Sequence, residues 1–138
     1  MLNSAPAMKS ETVIRIKSAE ILLLEERIVK IIIASNYESN VEDVTEIGEA
    51  INTLIGNNPH YILVITQQGA SATPEAREYA ANSSYRRNVI AEGIVIKNLA
   101  LRMAATVYMK VNRPKQKIKL FNSEAKALIW LQKLKSNA

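Results

Sequence analysis

Cysteine is absent from the 138 residues, and histidine occurs once, as His60. Disulfides, thiolate metal ligands and thiol nucleophiles are excluded together, and a transition-metal site of the usual His/Cys kind has too few ligands. A chain without thiols suits a reducing compartment, so a cytoplasmic location is expected. Glycine is scarce, at four residues, and neither a P-loop pattern nor GxGxxG surrounds Gly69, so no phosphate-cradling loop is expected. The serines lack the nucleophile-elbow pattern, and a Ser–His pair would have His60 alone to draw on. Aromatic residues are few (five Tyr, one Phe, one Trp), which argues against stacking platforms for nucleic acid. Lys97, Arg102 and Lys110 interrupt the longest apolar stretches too soon for a membrane span. Met1 to Glu11 contains no apolar core of a signal peptide.

What is present divides by charge. Residues 1–69 hold five basic side chains against nine acidic ones, whereas residues 110–138 hold eight basic ones against Glu124 alone. Opposed poles of this kind are two solvated faces of one domain, or they pair subunits and steer a charged partner. At this length a single domain buries roughly two thirds of the unfolded chain's surface, enough for a core without staples. Residues 1–10 are small and polar and are expected to form a disordered N-terminal tail, leaving 11–138 as one domain.

Residues 12–17 alternate as a half-buried strand does. Residues 21–24 and 27–34 are two further β-rich runs parted by Glu25-Glu26, which predicts a hairpin. Ile28, Ile31, Ile32 and Ile33 make the second run apolar on both faces, so helices must cover it on at least one side. Asn40 is the expected N-cap of a helix in which Val41, Val44, Ile47, Ile51, Leu54 and Ile55 recur at helical spacing. Glu42, Asp43, Glu46 and Glu49 fall on its opposite, solvated side, and Gly56-Asn57-Asn58-Pro59 ends it. Residues 61–65 are too apolar to face water and read as a central strand. Thr73 before Pro74 marks the start of a short helix, and residues 89–97 read as another strand. Asn98 caps a helix running to Asn112, with Ala100, Met103, Ala104, Val107 and Val111 as its expected buried stripe, and Pro114 stops it. Residues 118–121 form a short strand, and Asn122 or Ser123 caps a last helix carrying Ala127, Leu128, Trp130 and Leu131.

This succession specifies an α/β fold: a mixed β-sheet of about four to six strands with about four helices packed mainly on one face. It resembles the STAS domain of anti-sigma-factor antagonists, and more closely the small bacterial STAS-like proteins of unknown function. The residues that carry the likeness are Ile94-Val95-Ile96-Lys97-Asn98 with the helix to Asn112, Arg113-Pro114, and Leu120-Phe121-Asn122-Ser123-Glu124 with Ala127-Leu128-Ile129-Trp130-Leu131. They are packing residues, and so point to a fold rather than a chemistry. The resemblance implies a regulatory protein-interaction role and a serine switch at the N-terminus of the helix after the central strand. The corresponding stretch here is Ser71-Ala72-Thr73-Pro74, without the aspartate and glycine of the family pattern. A phosphate placed there would meet unpaired helix N–H groups and be legible to a partner.

The expected function is therefore a non-enzymatic, cytoplasmic protein-interaction or regulatory module. Its candidate binding or switch loop is Gln67, Gln68, Gly69, Ser71 and Thr73. The expected partner is another protein or a second copy of the chain, as a homodimer. The alternative is a small carrier of a hydrophobic, lipid-like ligand held between the sheet and the 98–112 helix, with Met103 and Met109 as an adaptable wall. No catalytic residue, metal, cofactor, nucleic acid or membrane span is expected. His60 reads as a solvated strand-edge residue. Arg86-Arg87 and the alternating Lys115, Lys117 and Lys119 offer phosphate contacts, but lysines along a short strand are the common guard of a sheet edge. Trp130 and Phe121 read as core.

Overall fold

The computed structural model describes residues 12–112 and 116–138. The chain opens with β1 (Val13–Arg15), β2 (Ala19–Glu25) and β3 (Ile28–Ile33), an antiparallel meander in which Ile14 faces Ile21 and Ile21 faces Ile31. The β2–β3 hairpin closes on Arg27, which takes a left-handed φ of 70°. From β3 onward the sheet is parallel. β5 (His60–Thr66), β7 (Val89–Ile96) and β8 (Lys117–Phe121) follow one another outward, giving the six-stranded order β1-β2-β3-β5-β7-β8. Parallel neighbours need crossover connections. These are α1 (Val41–Ile55), α2 (Pro74–Asn82) with a 3-10 turn at Ser84–Asn88, and α3 (Leu99–Asn112). α4 (Glu124–Ser136) closes the chain. A small parallel ribbon of β4 (Glu38–Ser39) and β6 (Ser71–Ala72), which no periodicity announces, sits beside the main sheet.

Both faces of the central strands are apolar because helices cover both. On one face Ile21, Val29, Ile31 and Ile62 meet Ile47, Ala50 and Ile51 of α1. On the other, Ile28, Tyr61, Leu63 and Val95 meet Ala127 and Leu131 of α4. Gly93 lies at that second contact, where an added Cβ would sit in ordinary van der Waals contact, 3.5 Å from the Ala127 Cβ. α2 and α3 share the α1 face, so three helices lie on one side and α4 alone on the other. Phe121 and Trp130 pack 5.5 Å apart on the α4 side, with the Lys119 ammonium 5.5 Å above the Phe121 ring.

The caps fall where the sequence places them. The Asn40 side chain accepts from the Asp43 N–H at 2.9 Å, Asn98 from Leu101 at 2.9 Å, and Ser123 from Lys126 at 3.1 Å. Asp43 itself departs from expectation. It is buried, returns the capping bond to the Asn40 N–H at 2.8 Å, and accepts from the Tyr37 hydroxyl at 3.0 Å. Burial first, and then this carboxylate, raise the Tyr37 pKa.

α3 is the larger correction. Its predicted buried stripe faces water: Met103 and Val107 are 61% exposed and Val111 75%, with Ala100 and Ala104 also exposed. The side turned to the sheet is Arg102, Ala105 and Met109. The tail expected at residues 1–10, and the expected stop at Arg113-Pro114-Lys115, lie outside the described residues.

Candidate functional site

Three loops meet at the carboxyl ends of β3, β5 and β7, the edge at which open α/β sheets place ligands. The 67–73 loop is one of them. Gly69 turns it with a left-handed φ of 76° against Asn36, whose Oδ1 would be 2.1 Å from any Cβ at this position. The Asn36 N–H donates to the Gln68 carbonyl at 2.9 Å, and the Ser71 and Thr73 N–H groups donate to Tyr37 and Ser39 at 3.0 Å. The loop is thus tied to the neighbouring β3–β4 connection. Gln67, Gln68, Gly69 and Ser71 are exposed. Thr73 is half-buried and spends its hydroxyl oxygen on capping α2, accepting from the Ala76 N–H at 3.0 Å. All five candidate residues stand on one rim.

Beneath that rim lies an apolar cleft in two adjoining lobes. One, about 390 Å³, is walled by Ile31, Ile62 and Val64 of the sheet, Val44 and Ile47 of α1, and Ala70 to Ala72 of the rim. The other, about 650 Å³, runs between Ile94, Ile96, Ile118 and Leu120 of the sheet and Ala105, Tyr108 and Met109 of α3. Arg77, Ala80, Glu92, Ile94 and Ile96 border both. Arg77 closes over from α2: its guanidinium donates to the Ala72 carbonyl at 2.7 Å and stacks 5.8 Å above the Tyr108 ring. Arg102 anchors the start of α3 by donating to the Ile96 carbonyl at 2.7 Å. Met109 is a wall of this space; Met103, expected beside it, points away.

One ion pair stands in the apolar wall. The Arg86 guanidinium donates to a Glu92 carboxylate oxygen at 2.6 Å, with the two side chains only 7% and 11% exposed. Gln116, at the foot of β8, donates to the Arg86 carbonyl at 3.2 Å, and its own carbonyl lies 3.4 Å from Arg86 Nε. Sequence reasoning took Arg86 for a surface cation and overlooked Glu92. A signal was there: Glu92 is the one charge in the apolar strand Val-Ile-Ala-Glu-Gly-Ile-Val-Ile, and a buried carboxylate requires a cation.

His60 is likewise corrected. It is 2% exposed and donates through Nδ1 to the Asn58 carbonyl at 2.9 Å, and among the described residues Nε2 has no partner. Burial lowers its pKa, against the raising effect of the Asn58 bond. It borders a separate, more polar cleft of about 510 Å³ with Glu49, Asn52 and Arg87. Lys117 and Lys119 stand on β8, which pairs with β7 alone and so is a sheet edge, as a guarding role requires. Among the described residues no cluster of three His, Cys, Asp or Glu side chains is placed to hold a metal, and no helix is long and apolar enough to cross a membrane.

Residues 22–135 match a family described as Domain of unknown function (DUF7793). No curated protein and no solved structure gives a significant match to the chain.

Proposed function

The chain belongs to the DUF7793 family, and from its geometry we propose that it is a non-enzymatic interaction module of STAS-like type that works as a homodimer through α3. The observation that carries this reading is the outward stripe of α3. Leu99, Met103, Val107 and Val111 form one i, i+4 row on the exposed side, with Ala100 and Ala104 beside it. A row of this kind interdigitates with its own copy, and small neighbours let a second helix approach closely. α3 has no acidic residue, and the charge beside the stripe is the exposed Lys110 in its last turn. Each of the four stripe residues is 61–75% exposed, so a symmetric pair would cover most of the apolar surface that α3 turns to solvent. The rim of Gln67, Gln68, Gly69 and Ser71 remains exposed in such a dimer as the surface for another protein. Ser71, whose hydroxyl does not cap α2, is its modifiable residue.

Sedimentation velocity tests this reading. The wild type is expected to sediment as a dimer at micromolar concentration. Met103→Glu with Val107→Glu is expected to sediment as a monomer with an unchanged far-UV spectrum, because neither side chain contributes to the core. A monomeric wild type, or a dimer indifferent to both glutamates, would refute it.

A second reading rests on the cleft itself. Each lobe falls within the roughly 300–1,000 Å³ of small-molecule sites, and the lining is apolar except for a few polar groups, which suits a carrier of a hydrophobic ligand.

A further inference from the structure

We infer that the polar cleft between α1, the end of α2 and the 3-10 turn binds a small polyhydroxylated molecule, a sugar or polyol, one of whose hydroxyl groups donates to His60 Nε2. The site is separate from the α3 stripe and from the apolar cleft, so it depends on neither reading above. The cleft is about 510 Å³, within the range of small-molecule sites. Glu49 and Asn52 line it from α1, where Gly48 adds no side chain to the space, and Ser83, Arg87 and Asn88 line it from the other side. Thr45 Oγ1 and the Tyr79 hydroxyl meet at 3.4 Å and bridge α1 to α2. His60, at 2% exposure, is the most deeply buried polar group of the lining. Its Nδ1–H is spent on the Asn58 carbonyl, so in the neutral ring Nε2 carries a lone pair and no hydrogen. Among the described residues nothing donates to that lone pair. A buried acceptor without a donor is costly, and a ligand that donates to it removes the cost.

The rest of the lining selects the class of donor. Nε2 and the Glu49 carboxylate only accept, so an anion drawn to Arg87 gains nothing from them. Arg87 only donates, so a cation drawn to Glu49 gains nothing there, and among the described residues no ion pair joins the two. A zwitterion answers both charges, but the group it brings to Nε2 is an ammonium stripped of water, far costlier to bury than a hydroxyl. A polyol meets every group at once. Its hydroxyls donate to Nε2 and Glu49, accept from Arg87, and do both with the Asn52, Asn57 and Asn88 amides and the Ser83 hydroxyl. Tyr79, 41% exposed, presents an apolar ring beside them for the C–H face of a sugar.

His60 is the single histidine of the chain, so nitrogen-labelled histidine gives one imidazole to follow by magnetic resonance. The full chain, at mildly alkaline pH where the ring is neutral, is titrated separately with myo-inositol, glucose, glycine and acetate. At least one of the two polyols is expected to move the Nε2 resonance toward that of a hydrogen-bonded nitrogen, saturably and at millimolar concentration. Nδ1, already bonded, should move little, and glycine and acetate should leave both nitrogens unchanged. An Nε2 resonance indifferent to both polyols would overturn the inference. Glycine saturating at an equal or lower concentration would overturn it in favour of a zwitterion, and acetate doing so in favour of an anion. Gly48→Leu puts a side chain into the cleft while improving the helix propensity of α1, and is expected to abolish the shift. A shift retained in that variant would place the ligand elsewhere and overturn the inference. The wild-type titrations decide alone if the variant does not fold.

Discussion

Removing one partner of the Arg86–Glu92 pair should destabilise the protein far more than removing both. Replacing Glu92 with Leu leaves a guanidinium whose side chain is 7% exposed facing Ile94, Ile118 and Leu120. Breaking a buried pair on one side costs about 3–5 kcal/mol. The pair lines an open cleft, where water can reach the remaining guanidinium, and Gln116 stays beside its Nε, so the lower end applies, about 3 kcal/mol. For a chain of this length that corresponds to a fall in Tm of roughly 10 °C. Arg86→Met should cost a similar amount. The double variant Arg86→Met with Glu92→Leu removes both charges and fills the space with apolar atoms, an exchange that is often neutral. It should lie within about 1 kcal/mol of the wild type. Urea unfolding followed by the fluorescence of Trp130, which packs on the far side of the sheet and so reports global unfolding, gives all four stabilities. Single variants costing under about 1 kcal/mol, as at an exposed pair, or a double variant equal to the sum of the singles, would refute the reasoning.

Two further predictions concern the rim and the histidine. Gly69→Ala forces a Cβ onto Asn36 in a left-handed backbone and should cost at least about 1–2 kcal/mol, read as a lowered urea midpoint. Ser71→Ala on the same loop should be silent in that assay, since its side chain is exposed. His60 has a folded pKa depressed below 6.5, so the unfolded chain takes up its proton first. Stability from this group is present above pH 6.5 and is lost as the pH falls through the depressed folded value. His60→Leu should therefore flatten the stability–pH curve just below pH 6.5, relative to the wild type. Parallel curves for the two proteins would show that His60 is solvated after all.

Most elements and their caps were legible because their causes are local. Asn40, Asn98 and Ser123 cap helices through atoms three residues away, and the apolar runs of β3 and β5 announce strands shielded from water, with β3 covered on at least one side. The α/β alternation followed from these. The 67–73 loop precedes α2, as the Thr73-Pro74 helix start implies. What the sequence alone could not decide was direction. The apolar row on α3 has the period of a buried face, and periodicity cannot tell a face turned to the chain's own core from one turned to solvent or to a second molecule. Only the placement of α3 over Ile94, Ile96, Ile118 and Leu120, held by Arg102 and lined by Ala105 and Met109, shows that the row looks outward. The same holds for Arg86, Glu92 and His60. Composition gives each its charge or its proton, but burial sets what that charge costs and which neighbour answers it, and burial is a property of the packed sheet and helices together.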